Sequence, residues 1–195
     1  IDTIPEKNQK RLSTSFSEWD RVTGGGIVPG SFMLISGDPG VGKSTLLLQI
    51  ATDLAKKYKV KIFSSPFSIR AVDFLEEFKC PIYKIASFEI TDYKLINYIA
   101  SKKKPIILSS GMSEISEIKK AINIINKYHN DISILHCVSD YPTKISDSNL
   151  EKITSLKKNF PDNAIGLSDH TVGISTSIMA INFGVTYIEK HFTLD

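Results

Sequence analysis

Cysteine is scarce in this sequence: there are two, Cys80 and Cys137, and neither stands in a CxxC or CxxH spacing. That argues against a disulfide framework or a structural zinc site and fits a reducing, cytoplasmic setting. No apolar run approaches the roughly 18 residues a membrane-spanning helix needs, so no membrane partner is expected. Charge of one sign is not in excess either. Twenty-four basic and 21 acidic residues leave a formal net charge of +3, spread along the chain. This is too little for a nucleic-acid surface. The one tight basic run, Lys102–Lys104, reads as a solvated loop before a strand. Internal repeats, low-complexity tracts and flexible linkers are also missing.

What is present is a regular alternation of strand and helix. Phe32–Ser36 is a short apolar run suited to a buried parallel strand, and Ser44–Tyr58 carries Leu46, Leu47, Ile50 and Leu54 at helical spacing. Further strands are expected at Lys61–Ser64, Ile82–Ala86, Pro105–Ser109, Ser133–Cys137, Ala164–Ser168 and Thr186–Glu189. Helices are expected at Ser68–Phe78, Tyr93–Ser101, Ile115–Tyr128, Ser148–Asn159 and Gly173–Phe183. Such alternation implies an α/β fold, a parallel sheet covered by helices, with about seven βα units. Cys137 and His136, within the apolar run Ile134–Val138, read as core residues.

Gly37-Asp38-Pro39-Gly40-Val41-Gly42-Lys43-Ser44 matches G-x-x-x-x-G-K-[ST] in full, between a strand and a helix. Glycines let backbone N–H groups turn toward phosphate oxygens, and the helix N-terminus faces the same anion. Gly37, Gly40, Gly42, Lys43, Ser44 and Thr45 are therefore candidate ligands for the phosphates of ATP, with the Ser44 hydroxyl on Mg²⁺. The stretches Arg11–Thr14, Glu18–Val22, Gly24–Ser31 and Gly37–Gln49 together resemble the RadA (Sms) family of DNA-repair ATPases. That resemblance covers residues 1–60. It stops before any Walker B strand, catalytic glutamate or DNA-binding motif, so neither ATPase turnover nor DNA binding is expected.

A second set of motifs follows. Phe63–Phe67, Tyr83–Glu89, Ile107–Met112, His136–Pro142, Gly166–Thr171 and Ile188–Phe192 stand in order, most at the C-terminal end of an expected strand. They are similar to the N-acetylneuraminate synthase family, with its pseudaminic and legionaminic acid relatives. The resemblance covers residues 61–195 and implies strands 3 to 8 of a TIM-type (β/α)₈ barrel. It also implies a site: Lys84 with the hydroxyls of Ser65, Ser87 and Ser109 for the phosphate of phosphoenolpyruvate, and His170 and His191 for Mn²⁺ or another divalent metal. Glu89 and Tyr141 match positions near the substrates, phosphoenolpyruvate and an N-acetylmannosamine-like sugar.

The two resemblances meet near Val60, without a spacer, in what reads as a chimera of two α/β enzymes in one merged folding unit. The second one implies that the family's first two barrel strands, with a glutamate and a lysine, and its C-terminal domain are absent, so catalysis is expected to be impaired. An incomplete barrel, an open sheet and a homodimer that covers the exposed edges all fit this count of strands.

Overall fold

The computed structural model describes residues 11–29, 31, 35, 36, 38 and 41–191. The chain forms two compact units, the first running to Ile62 and the second from Phe63 to Thr193.

In the first unit, α1 spans Ser17–Val22 and α2 spans Lys43–Tyr58. Asp20 anchors α1: its carboxylate accepts from the Thr14 N–H and hydroxyl and from the Ser13 hydroxyl, at 2.7 to 3.0 Å. Leu12 and Ile27 exchange backbone hydrogen bonds of 2.7 and 2.9 Å. α2 is rich in leucine and alanine, which favour helix, and buries Ile50 and Ala55. It stops where Lys59 enters the left-handed region at φ 55°. The Val60 N–H then closes onto the Ala55 carbonyl at 2.9 Å, satisfying a C-terminal acceptor. Of the strand expected at Phe32–Ser36, Phe32–Leu34 lie outside the described residues.

The second unit alternates as its sequence pattern requires. The Ser68 hydroxyl caps α3 (Ile69–Glu77) by accepting from the Ala71 N–H at 3.2 Å. β1 (Tyr83–Ile85) leads into a 3₁₀ turn, Ser87–Thr91. Asp92 caps α4 (Tyr93–Ala100) in the same way, through the Leu95 N–H at 3.0 Å. Then come β2 (Ile106–Ser109), α5 (Ile115–Ile125), β3 (Ile132–Cys137), α6 (Glu151–Asn159), β4 (Ala164–Asp169), α7 (Ser175–Asn182) and β5 (Ile188–Lys190). All neighbours pair in parallel, in the order β1-β2-β3-β4-β5.

This sheet is curled, a half-barrel. Its first and last strands would stand about 19 Å apart if flat, at about 4.8 Å per step. Yet the Lys84 ammonium of β1 meets the Glu189 carboxylate of β5 at 3.0 Å. Lys84, Ser168 and Glu189 therefore line the concave face. Tyr83, Ile85, Leu108 and Ile134 point the other way, into a helix layer where Val72, Ile96, Ile99, Ile118, Ile125 and Ile153 are fully enclosed. Each such side chain is worth about 1.5–3 kcal/mol over its exposed state, so this layer holds the scaffold on which the strand ends sit.

Two expectations need correction. Among the described residues the sheet has five strands rather than about seven. Lys61–Ser64 contributes one bridge, Ser64 to Tyr83, through the Lys84 N–H and the Ser64 carbonyl at 3.3 Å. Lys61, Phe63 and Ser64 are exposed, so no burial holds a longer ladder there. The basic run is also not merely solvated. Lys104 reaches Glu76 of α3 at 2.6 Å, and Lys102 sits 3.7 Å from Asp73 and 4.1 Å above the Tyr98 ring. Burial, reinforced by the Glu76 carboxylate, pushes the Tyr83 phenol well above its ordinary value, keeping it a donor to Glu76. Among the described residues no helix is long and apolar enough to cross a membrane.

Candidate active site

The C-terminal ends of β1 to β5 gather the chemistry-bearing residues of the second unit, as in barrels whose reactive groups crown the strands. Lys84 is the middle residue of β1, on the concave face, and is 8% exposed. Ser87 opens the following 3₁₀ turn, and Glu89 lies two residues on. Ser109 closes β2 and is 2% exposed. Ser65 follows the single bridge beside β1.

Gly111 organises the hydroxyls here. Its N–H donates to the Ser87 Oγ at 3.1 Å. A Cβ at this position would lie 2.4 Å from the Ser139 Oγ and 2.7 Å from the Ser87 Oγ, so only glycine leaves room for both. The Ser109 and Ser139 hydroxyls and one Glu89 oxygen are buried with no hydrogen-bond partner. A buried polar group left unpaired costs about 1–3 kcal/mol. Hydroxyls held without a partner near an ammonium suit an acceptor-rich anion.

Histidines occupy the other end of the row. His170, one residue past β4, shares the Nδ1 proton with the Val138 carbonyl at 2.7 Å. A carbonyl only accepts, so Nδ1 carries the hydrogen and Nε2 keeps a lone pair. That is the arrangement of a metal-binding imidazole with its outer partner in place. His191, one residue past β5, lies 5.4 Å away between ring centroids. The Tyr141 ring stacks on His170 at 4.1 Å and meets His191 edge-on at 5.7 Å. Burial, with Cys137 and Glu189 nearby, raises the Tyr141 phenol, so it stays a neutral donor. A divalent cation held by these two imidazoles would need its other ligands from elsewhere. Among the described residues no group of three or more His, Cys, Asp or Glu is arranged to hold a metal.

A run of close polar contacts joins the two ends; it is bonded as far as Ser168, whose single hydroxyl proton goes to Glu189 and not to the His170 Nε2 lone pair. Lys84 Nζ donates to Glu189 Oε1 at 3.0 Å, the Ser168 Oγ donates to the same oxygen at 2.7 Å, and His170 Nε2 stands 3.3 Å from that hydroxyl. Lys84, His170, His191 and Tyr141 thus share one surface. Ser87 and Ser109 sit with Gly111 and on the strand next to Lys84. Neither Ser65 nor Glu89 is bonded to these groups. Ser168 and Glu189 escaped the sequence reading, although a signal was there. In strands residues two apart share a face, and these two stand two before His170 and His191.

Asp169 lies between Ser168 and His170 with its side chain fully enclosed. Burial alone would raise its carboxyl. Hydrogen bonds from Lys190, Ser177 and the backbone and side chain of Thr171 outweigh that and hold it at about 2.

In the first unit, α2 begins after Gly42, whose φ of 86° no other residue type adopts readily. Among the described residues no side chain caps this N-terminus, which Lys43, Ser44 and Thr45 open. The Lys43 ammonium donates to the Asp38 carbonyl at 2.6 Å. Gly37 and Gly40 lie outside the described residues.

The sequence profile of the NeuB family matches residues 47–195, beginning within α2. A pseudaminic acid synthase of Helicobacter pylori is 49% identical over 144 residues, 73% of this chain and 42% of that protein. An N,N'-diacetyllegionaminic acid synthase of Campylobacter jejuni is 42% identical over 144 residues, 72% of this chain and 43% of that protein. The solved N-acetylneuraminic acid synthetase of Leptospira borgpetersenii superposes with a TM-score of 0.73 at 35% identity, over 77% of this chain and 52% of that one. The chain thus spans less than half the length of these two synthases from Helicobacter and Campylobacter.

Proposed function

Because the chain belongs to the NeuB family, we propose that its second unit carries the phosphate-binding and metal-binding part of a synthase site. That site joins phosphoenolpyruvate to an N-acetylmannosamine-like amino sugar. The observation that carries this reading is the run Lys84–Glu189–Ser168, with His170 Nε2 3.3 Å beyond it, which brings an ammonium from the first strand of the row to an imidazole at the other end.

Lys84, with Ser65, Ser87 and Ser109, receives the phosphate and fixes the enol end of phosphoenolpyruvate. His170 and His191 would hold Mn²⁺ or another divalent ion, which when bound supplies polarisation of the sugar aldehyde. Tyr141 covers the two imidazoles and limits the approach of water, and Glu89 stands beside the phosphate pocket. In the reaction the enol carbon bonds to the aldehyde carbon, water adds to the neighbouring carbon, and phosphate leaves from it. Phosphoenolpyruvate, sugar and water thereby balance to a nonulosonic acid and inorganic phosphate.

Calorimetric titration with phosphoenolpyruvate tests this. Charge-assisted bonds contribute about 1.5–3 kcal/mol each, so Lys84→Ala should weaken binding by roughly 10- to 150-fold. Absence of binding to the wild type, or equal binding by Lys84→Ala, refutes the reading. A thiobarbituric acid assay with N-acetylmannosamine and Mn²⁺ then reports turnover.

A second reading concerns the first unit. The glycine-led, side-chain-uncapped start of α2 supports binding of ATP phosphates at Gly42, Lys43, Ser44 and Thr45, with Mg²⁺ on the Ser44 hydroxyl. It predicts a rise in thermal midpoint with Mg²⁺ and ATP that Lys43→Ala abolishes. The same rise in both proteins would eliminate it.

A further inference from the structure

His170 is half-buried and His191 exposed, each just past a strand end, and something must hold their rings 5.4 Å apart. The backbone ladder between β4 and β5 has three pairs, Leu167 with Ile188, Ser168 with Glu189, and Asp169 with Lys190. It ends one residue before each histidine. β5 is an edge strand only three residues long, and its Ile188 is exposed, so neither burial nor a second neighbour steadies it.

On the final pair, the Lys190 ammonium donates to Asp169 Oδ2 at 2.8 Å and to the Thr171 carbonyl at 2.8 Å. Asp169 Oδ1 accepts from the Thr171 N–H at 2.9 Å and from its hydroxyl at 2.8 Å. The Ser177 hydroxyl, from the first turn of α7, completes the set on Oδ2 at 2.6 Å. Four donors converge on one buried carboxylate. Two of them come from Thr171, so the backbone of His170 is bracketed on both sides. The Lys190 donor spans the strand gap and is followed directly by His191. Strand alternation puts this lock on the face opposite Ser168 and Glu189. It touches neither imidazole nor any expected position of substrate.

We infer that Asp169 and Lys190 are positioning residues, a cross-strand lock whose work is to set the spacing of the His170 and His191 imidazoles. This rests on the reading of those histidines as a divalent-metal pair. In this role the lock differs from a purely structural ion pair. Breaking it loosens the pair of rings while most of the fold persists, since Lys190→Met leaves three of the four donors on Asp169.

The test uses the full chain with its four histidines isotopically labelled. In the metal-free protein, the nuclear Overhauser contact between the His170 and His191 rings is recorded for the wild type, Asp169→Asn, Lys190→Met and Lys190→Arg. Mn²⁺ affinity is measured by calorimetry well below every thermal midpoint. Loss of a partner bonded directly to a ligating imidazole weakens metal binding about 10- to 100-fold, which sets the range for a device that displaces the ring through its backbone. The lock predicts that range for Asp169→Asn and Lys190→Met, with loss of the ring contact, and recovery of both in Lys190→Arg. If Asp169→Asn does not fold, Lys190→Met decides alone. Variants that fold with a lower midpoint but keep the ring contact and the Mn²⁺ affinity overturn the inference. If the wild type binds no Mn²⁺ while the ring contact still depends on the lock, the positioning role stands and the metal reading fails.

Discussion

Replacing Gly111 by alanine tests the phosphate pocket where its geometry is tightest. The added Cβ would meet Ser139 Oγ at 2.4 Å, Ser87 Oγ at 2.7 Å and Ser87 Cβ at 3.2 Å. The first two are closer than any Cβ tolerates, so both hydroxyls must turn away. Overpacking of this size costs typically 1–3 kcal/mol. For a chain of this length each kcal/mol lowers the thermal midpoint by about 2–4 °C, giving a fall of about 2–12 °C. Losing one hydroxyl bond to a phosphate adds about 1.5–3 kcal/mol to the binding side, or roughly 10- to 150-fold in affinity for phosphoenolpyruvate. The control is Gly166→Ala, where a Cβ would meet Leu135 Cδ2 at 2.5 Å and the Tyr187 carbonyl at 2.6 Å. A backbone oxygen yields less than a hydroxyl, so this variant should lose at least as much stability while its folded fraction binds phosphoenolpyruvate normally. Differential scanning fluorimetry and calorimetry on both variants give the two numbers. If Gly111→Ala loses stability but binds like the wild type, Ser87 and Ser139 do not face the phosphate and the argument fails.

Two further outcomes follow from the packing and the buried charge. Ile99 is wholly enclosed between helix and sheet, so Ile99→Ala should cost about 2–5 kcal/mol in urea unfolding. A cost under 1 kcal/mol would mean the helix layer is not packed as described. Asp169 is held at about 2, below its ordinary 3.8. Its contribution, roughly 2 kcal/mol, is therefore present above about pH 4 and lost as pH falls through 2. Urea midpoints taken down this range should fall more steeply for the wild type than for Asp169→Asn, and equal slopes would contradict the assignment.

Much of the second unit is legible in its sequence because the signals are local. Apolar runs and helical spacing locate each element to within a few residues. The largest departures are three residues: α5 ends at Ile125 rather than Tyr128, and α6 begins at Glu151 rather than Ser148, after a separate 3₁₀ turn at Ile145–Asp147. What could not be read depends on distance along the chain. The ammonium of Lys104 finds a partner 28 residues earlier, so a basic run that looks solvated becomes part of a helix–sheet tie. Strand number was overestimated at Lys61–Ser64, because β-forming residues make a ladder only where burial or a neighbour holds them. The site motifs name Lys84, His170 and His191. That Glu189 and Ser168 connect them follows from the curl of the sheet, which no single segment encodes.

The contact between Lys84 and Glu189 joins residues 105 apart and crosses the hollow of the arc as a chord. No helix can lie in a hollow that the Lys84 and Glu189 side chains fill from both sides, their charged ends meeting at 3.0 Å. Each of the four crossovers between β1 and β5 must therefore pass on the convex side. A chain that sends one crossover the wrong way leaves the chord open. The same ion pair, whose ammonium faces the proposed phosphate, thus also records in a single contact that the whole unit has been wound in one sense.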